Sequence, residues 1–217
     1  MAPDFLDTML SAAAAVIRDN AEALTALDQA IGDGDHGINM KRGFAAIEAE
    51  KATVTALALP QALQKIGMTL VMNVGGASGP LYGSYFMAMG KAMPPEALTV
   101  AALAEALAAG ALAVQQRGKS APGEKTMLEV LVPVADAVRQ AAQAGLPTDA
   151  VLAAVREAAA RGLESTRDML ATKGRASYLG ERSIGHLDPG AQSSQLLVES
   201  ICNVVATALA ATKVEGV

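Results

Sequence analysis

The chain has 217 residues, 52% hydrophobic and 18% charged, which suits one substantial core, is short for two, and excludes a disordered polymer. A net charge of -5, with 17 Lys and Arg scattered without a basic run and only three Tyr, three Phe and no Trp, excludes a nucleic-acid binder with a base-stacking platform. The single cysteine, Cys202, excludes an internal disulfide framework and a cysteine-based zinc site, and its neighbours Ile201, Val204 and Val205 mark it as a buried thiol.

The N-terminus, Met1 to Asp7, is acidic where a secretory signal is basic, and no uncharged apolar stretch reaches the ~18 residues of a membrane span, so a cytoplasmic protein is expected. Alanine and leucine dominate, and apolar residues recur at three- and four-residue steps, which is the helical period. No convincing strand stands out, so the expected fold is all-α and a single domain over residues 1–217. Predicted helices run Asp4 to Arg18, Ala21 to Ile31, Ile38 to Leu57, Pro60 to Val74, Gly79 to Met93, Val100 to Arg117, Thr126 to Gln143, Asp149 to Leu170 and Gln192 to Thr212. Pro60 and Pro147 lie at or just before helix starts, Thr99 and Thr148 can cap, and Gly118 and Gly145 can end helices. Short connections imply antiparallel neighbours. In residues 148–170, Val151, Leu152, Val155, Ala159 and Leu163 form one apolar face, as in an amphipathic wall helix.

Glycine-rich breaks at 32–37, 75–80, 118–125 and 172–191 interrupt this texture, as expected of ligand-binding loops on a helical scaffold. The first carries the strongest chemical signal. Asp28, Asp33 and Asp35 crowd into eight positions and are followed by His36 and Asn39. Three such carboxylates repel one another unless a cation intervenes, and Mg²⁺, with its preference for oxygen ligands shared with phosphates, is the natural counter-charge. Gly32-Asp-Gly-Asp-His-Gly37 matches the glycine spacing of a dinucleotide fingerprint, but the preceding segment is helical and the variable positions are acidic, so that reading fails. A calcium loop fails too, because Gly37, Ile38 and Phe44 stand where it needs an oxygen donor, a glycine and a glutamate.

His36 and Asn39 flank the acids, with Asn39 near the first turn of the next helix, where amides meet anions. In Val74-Gly-Gly-Ala-Ser78-Gly-Pro80 the glycines admit close backbone approach to a phosphate and Ser78 can cap or donate, while by itself the segment also reads as a plain turn between helices. Gly118-Lys119-Ser120 imitates the end of a phosphate loop, but Ala113 replaces the earlier glycine and the lead-in is helical. The segment 172–191 is too polar for core and too long for a connector, so a binding loop or lid is expected, with Arg175 pairing with phosphate and Asp188 accepting from a ribose or base, the alternative being a surface ion pair. No nucleophile constellation is present, which argues against covalent catalysis.

Four ordered motifs together resemble the nucleotide-binding L subunit of dihydroxyacetone kinase over nearly the whole chain. They are Asp28-x4-Asp33-Gly-Asp35-His-Gly-x-Asn39-Met-x-Arg42-Gly-Phe44, Val74 to Leu81, Gly118-Lys119 with Pro122-Gly-x-Lys125-Thr-Met127, and Lys173 to Gly190. The resemblance implies a closed barrel of eight antiparallel amphipathic helices with the nucleotide at one open end. It implies two Mg²⁺ held by Asp28, Asp33 and Asp35, and nucleotide contacts from His36, Gly37, Ile38, Asn39, Ala77, Ser78, Gly118, Met127, Arg175, Asp188, Pro189 and Gly190, with Met127 as a surface for the base. It further implies phosphoryl transfer from Mg-bound ADP/ATP to dihydroxyacetone on a separate K subunit. Two forms remain open: bound ADP recharged by a phosphotransferase-system M subunit, which the loop match favours, or exchanging ATP. Related complexes act on ketoses such as erythrulose, and a second copy of the chain is a further candidate partner. The alternatives are a two-Mg²⁺ all-helical hydrolase of the ADP-ribosylglycohydrolase type, which needs a late pair of aspartates where Asp188 stands alone, and a non-catalytic adaptor that reports nucleotide state.

Overall fold

The computed structural model describes residues 3–94 and 98–215. Its helices are α1 (Pro3–Asp19), α2 (Ala21–Ile31), α3 (His36–Ala49), α4 (Lys51–Thr55), α5 (Leu59–Asn73), α6 (Ser78–Ala92), α7 (Val100–Gly118), α8 (Leu128–Gln143), α9 (Thr148–Ser165) and α10 (Pro189–Glu215). A 3₁₀ turn at Thr166–Asp168 and a 3₁₀ segment at Arg175–Ser183, kinked at Gly180, complete the regular structure. There is no strand among the described residues, so the all-α expectation holds.

Packing follows the chain: α5 lies on α6, α6 on α7, α7 on α8, α8 on α9 and α9 on α10. From there α10 lies on α1, α1 on α3 and α3 on α5, so eight helices form a cycle of neighbours. The remaining long element, α2, packs on α3 and α10, which accounts for the ninth predicted segment. One apolar cluster, including Ile17, Leu24, Met40, Leu70, Tyr82 and Leu128, joins α1 to α3 and α5 to α8. A second, with Val130, Val134, Val155 and Cys202, joins α7 to α10. Burial at this scale, ~25 cal/mol per Å² of apolar surface, is the main stabilising force.

Helix ends obey local chemistry in part. Thr99 caps α7, its Oγ1 accepting from the Ala102 N–H at 3.1 Å. Gly118 ends that helix with Lys119 left-handed after it, and Gly145, at φ 62°, follows α8. Thr148 only begins α9, and Pro147 occupies the cap position without a side-chain bond.

Three predicted spans are corrected. The helix expected from Ile38 to Leu57 starts earlier, at His36, and breaks at Glu50, whose carboxylate accepts from Thr69 Oγ1 and pairs with Lys65, both 2.9 Å away on α5. The helix expected to reach Leu170 ends at Ser165, where Ser165 and Thr166 hydroxyls turn back onto the Gly162 and Leu163 carbonyls and tighten the last turn. The loop expected over 172–191 holds the 3₁₀ segment and the first turn of α10.

A side chain at Gly162 would place its Cβ 2.0 Å from the Glu129 carbonyl oxygen, so glycine there lets α9 lie against α8. Gly162→Ala is expected to cost about 2 kcal/mol by forcing the two helices apart. Urea unfolding measures this, and an unchanged midpoint would contradict the close approach.

Candidate metal centre and surrounding loops

The acidic cluster is built by the step from α2 to α3. Asp28 lies in the last turn of α2 with 8% of its surface exposed, and its Oδ2 accepts the backbone N–H groups of Asp35 at 2.8 Å and His36 at 3.1 Å. Those amides open α3, where the helix dipole favours a negative charge. Asp33 and Asp35 are exposed in the turn, and one oxygen from each of the three acids lies within 4.8 Å of the others. Ligands around an octahedral Mg²⁺ lie ~2.1 Å from the ion, so trans oxygens stand about 4 Å apart, and an all-oxygen donor set of this spread fits. Gly32 is required by the same geometry, because a Cβ would fall 2.0 Å from Asp28 Oδ1, the oxygen left free for a ligand.

His36 is fixed at both ring nitrogens, Nδ1 to Ser78 Oγ at 3.0 Å and Nε2 to Ser193 Oγ at 2.9 Å. Burial lowers its pKa, against the raising influence of Asp28, Asp35 and the Pro189 backbone, so the ring is held neutral with one donor and one acceptor. Ser193 continues to the buried Tyr82 hydroxyl at 2.8 Å, and Tyr82 continues to Ser194 at 2.8 Å. Desolvation pushes the Tyr82 phenol up to about 12. The glycine turn lies alongside: a Cβ on Gly75 would sit 2.6 Å from Asn39 Oδ1, and one on Gly76 would sit 3.9 Å from Asp35. Asn39 Oδ1 accepts from Arg42 Nη2 at 2.9 Å, which orients the amide. Gly37 is buried, and its missing side chain lets α3 approach α2, where a Cβ would meet the Ala21 carbonyl at 1.9 Å. Ile38 is exposed.

The third and fourth loops meet across from this turn. A Cβ on Gly190 would lie 3.4 Å from Met127 Cβ, and Pro189 opens α10 as a first-turn proline. Asp188 Oδ2 accepts the Ala191 N–H at 2.7 Å, while desolvation raises its pKa to about 7, with Lys125 opposing and Glu129 and Asp28 adding to the rise. Gly118 borders Leu81, one turn beyond Ser78, and Ala77 precedes α6. Arg175 Nε pairs with Asp33 Oδ2 at 2.9 Å on the surface, which is the ion-pair alternative that the sequence left open, here made with the acid cluster.

Sequence reasoning passed over four residues that hold these loops. Glu129 accepts from the Gly123 N–H at 2.9 Å and the Thr126 N–H at 3.1 Å. The Thr126-x-x-Glu129 spacing is a capping-box signature that was there to be found. Ser193 and Tyr82 carried no such mark. Nor did Lys125, whose ammonium donates to the backbone carbonyls of Thr166 and His186 while 1% exposed.

These features define a helical scaffold whose loops bring an acid cluster, a glycine turn and a basic arm together. The chain belongs to the DAK2 domain family, whose model matches residues 30–203. It is 48% identical over 185 residues to the ADP-binding subunit DhaL of PEP-dependent dihydroxyacetone kinase 1 from Listeria innocua, covering 85% of this chain and 88% of that one. To the ADP-binding subunit DhaL of the PEP-dependent dihydroxyacetone kinase of Escherichia coli it is 42% identical, covering 86% and 89%. The crystal structure of dihydroxyacetone kinase from C. freundii in complex with AMP-PNP and Mg²⁺ superposes with a TM-score of 0.69 at 26% identity, over 91% of this chain. This chain spans about a third of that longer one, 33%.

With its pKa raised from 3.8 to about 7, Asp188 keeps its proton in the folded state across a window where the unfolded chain has lost it. Its contribution to stability is therefore present at low pH and lost as pH rises toward 7. Asp188→Asn removes that loss, so its melting temperature relative to the parent should be higher at pH 8 than at pH 5. An identical difference at both pH values would refute the assignment.

Proposed function

We propose that this chain is the ADP/ATP-binding, phosphoryl-transferring subunit of a cytoplasmic dihydroxyacetone kinase, one nucleotide-binding unit that acts with a separate K subunit carrying the ketone. The observation that carries this reading is the convergence of Asp28, Asp33 and Asp35 within 4.8 Å, in a chain 48% identical to an ADP-binding subunit of such a kinase. Mg²⁺ bound there, two ions by resemblance, supplies neutralisation of phosphate charge.

The protein's own groups do the rest. Asp28, anchored by the α3 amides, offers Oδ1, while Asp33 and Asp35 contribute from the exposed side. Ser78, set by His36, and the backbone at Ala77 face the phosphates together with Asn39 and Ile38. Gly118 and Met127, the latter 4% exposed and packed beside Gly190, lie on the side taken for the base, with Asp188 to Gly190 next to them. Arg175 is 70% exposed and its partner Asp33 40%, so their bond is worth less than about 1 kcal/mol and is readily exchanged for a phosphate. Phosphoryl transfer asks for placement and charge more than for a nucleophile, which fits a site without one.

The relatives' PEP-dependent names favour bound ADP recharged through a phosphotransferase M subunit over exchanging ATP. Ketose choice, dihydroxyacetone or one such as erythrulose, then lies with the K subunit. The hydrolase alternative requires a late acid among the metal ligands, and among the described residues the cluster holds only Asp28, Asp33 and Asp35.

Two measurements test this. Asp33→Ala should abolish Mg²⁺-dependent ADP binding by calorimetry while circular dichroism stays helical, and retained affinity would defeat the metal assignment. Denaturing the purified protein should release stoichiometric ADP, whereas an empty site would favour the exchanging form.

A further inference from the structure

Lys125 is an unusual residue for its place. Its backbone is left-handed at φ 60°, a conformation in which glycine is the default and a lysine is strained. Its side chain is 1% exposed, although lysine is among the residues least often buried. A turn that needed only the left-handed backbone would be better served by glycine, so the side chain is what this position requires.

The ammonium group is spent on two backbone carbonyls from separate parts of the chain. It donates to Thr166, just after α9, and to His186, in the segment leading into α10. Thr166 is itself fully buried, and its Oγ1 accepts the Asp188 N–H at 3.0 Å, so the same point also ties the residue that leads into Pro189 and Gly190. On the near side, Glu129 holds the Gly123 and Thr126 amides, which anchors the loop carrying Lys125 to the start of α8. Burial lowers the lysine pKa and Asp188 opposes it. A buried cation must find dipoles, and the His186 carbonyl and the Thr166 carbonyl, which also accepts the Met169 N–H at 3.3 Å, supply them.

We propose that Lys125 is a positioning residue that staples the 119–127 loop to the 184–190 segment, and so fixes the packing of Met127 against Gly190 on which the neighbouring nucleotide contacts depend. This rests on reading the site as a nucleotide site. Lys125 touches neither phosphate nor metal ligand. It acts on the packing of the two segments, where a Cβ on Gly190 would already lie 3.4 Å from Met127 Cβ.

The test compares Lys125→Gly, Lys125→Met and Lys125→Arg with the parent chain, by calorimetric titration with MgADP and by hydrogen exchange. Lys125→Gly relaxes the backbone while deleting the ammonium, which guards against simple unfolding. The expected result is MgADP affinity at least about tenfold weaker for the Gly and Met variants, with partial recovery for Arg, the loss associated with one buried charged hydrogen bond. Exchange should accelerate in residues 184–190 and stay unchanged in α8. Parental affinity in Lys125→Gly would overturn the proposal, since that result means the backbone alone was needed. A lower melting temperature with undiminished affinity would also overturn it. If the parent itself bound no ADP, the functional reading would fail, and the exchange rates of 184–190 would still decide whether the staple exists.

Discussion

Two amide N–H groups at the start of α3 hold one oxygen of Asp28, and the architecture of this end of the molecule follows from that bond. A carboxylate in the last turn of one helix is unfavourably placed with respect to that helix's own dipole. Here it is turned onto the positive end of the next, which offsets the cost and fixes the angle between α2 and α3. The four residues between them then have no freedom to wander. Gly32 must lack a side chain because Asp28 Oδ1 occupies its space, and Gly37 must lack one because α3 starts against the α2 backbone. Asp33 and Asp35 are thereby delivered to where one oxygen of each lies within 4.8 Å of a carboxylate oxygen of Asp28.

The same turn seeds a polar seam through an otherwise apolar interior. His36 reaches Ser78 on α6 and Ser193 on α10, and Ser193 reaches Tyr82. Helices α3, α6 and α10 belong to different parts of the cycle of neighbours, so the seam joins segments far apart in sequence. Buried networks of this kind are worth having only when every member is satisfied. The neutral imidazole, with one donor and one acceptor, matches two hydroxyls that can each play either role. Apolar burial gives the scaffold its stability, and the seam gives it one register.

Much of this was legible because it depends on local chemistry. Helical periodicity located nearly every long helix, and three acids among glycines could not be mistaken for core. What stayed hidden depends on partners brought in by the fold. Glu50 reads as one more polar residue on a continuous helix until Lys65 and Thr69 on α5 engage its carboxylate and the helix breaks. Thr166 reads as mid-helix until its hydroxyl bonds back to Leu163 and receives the Asp188 amide. Lys125 lies in a glycine- and proline-rich loop, the setting of a solvated lysine, and although it stands in the third motif, only its burial shows what it holds. Glu129 is a different case, since its spacing from Thr126 was informative and the helix start was instead placed by periodicity alone.

Two cations illustrate how the cleft divides its labour. Arg175 pairs with Asp33 across the surface with most of its guanidinium in water, so the bond is weak, screened by salt and cheap to exchange. Lys125 is dry, bound to two carbonyls, and costly to disturb because deleting it would release two charged hydrogen bonds that join separate segments. One positive charge is thus held loosely at the surface, while the other ties two separate segments together. On the proposed reading as a nucleotide site both behaviours have a use: a weakly held charge at the surface can be exchanged for an anion at little cost, and a fixed wall preserves the geometry on which in-line reaction depends.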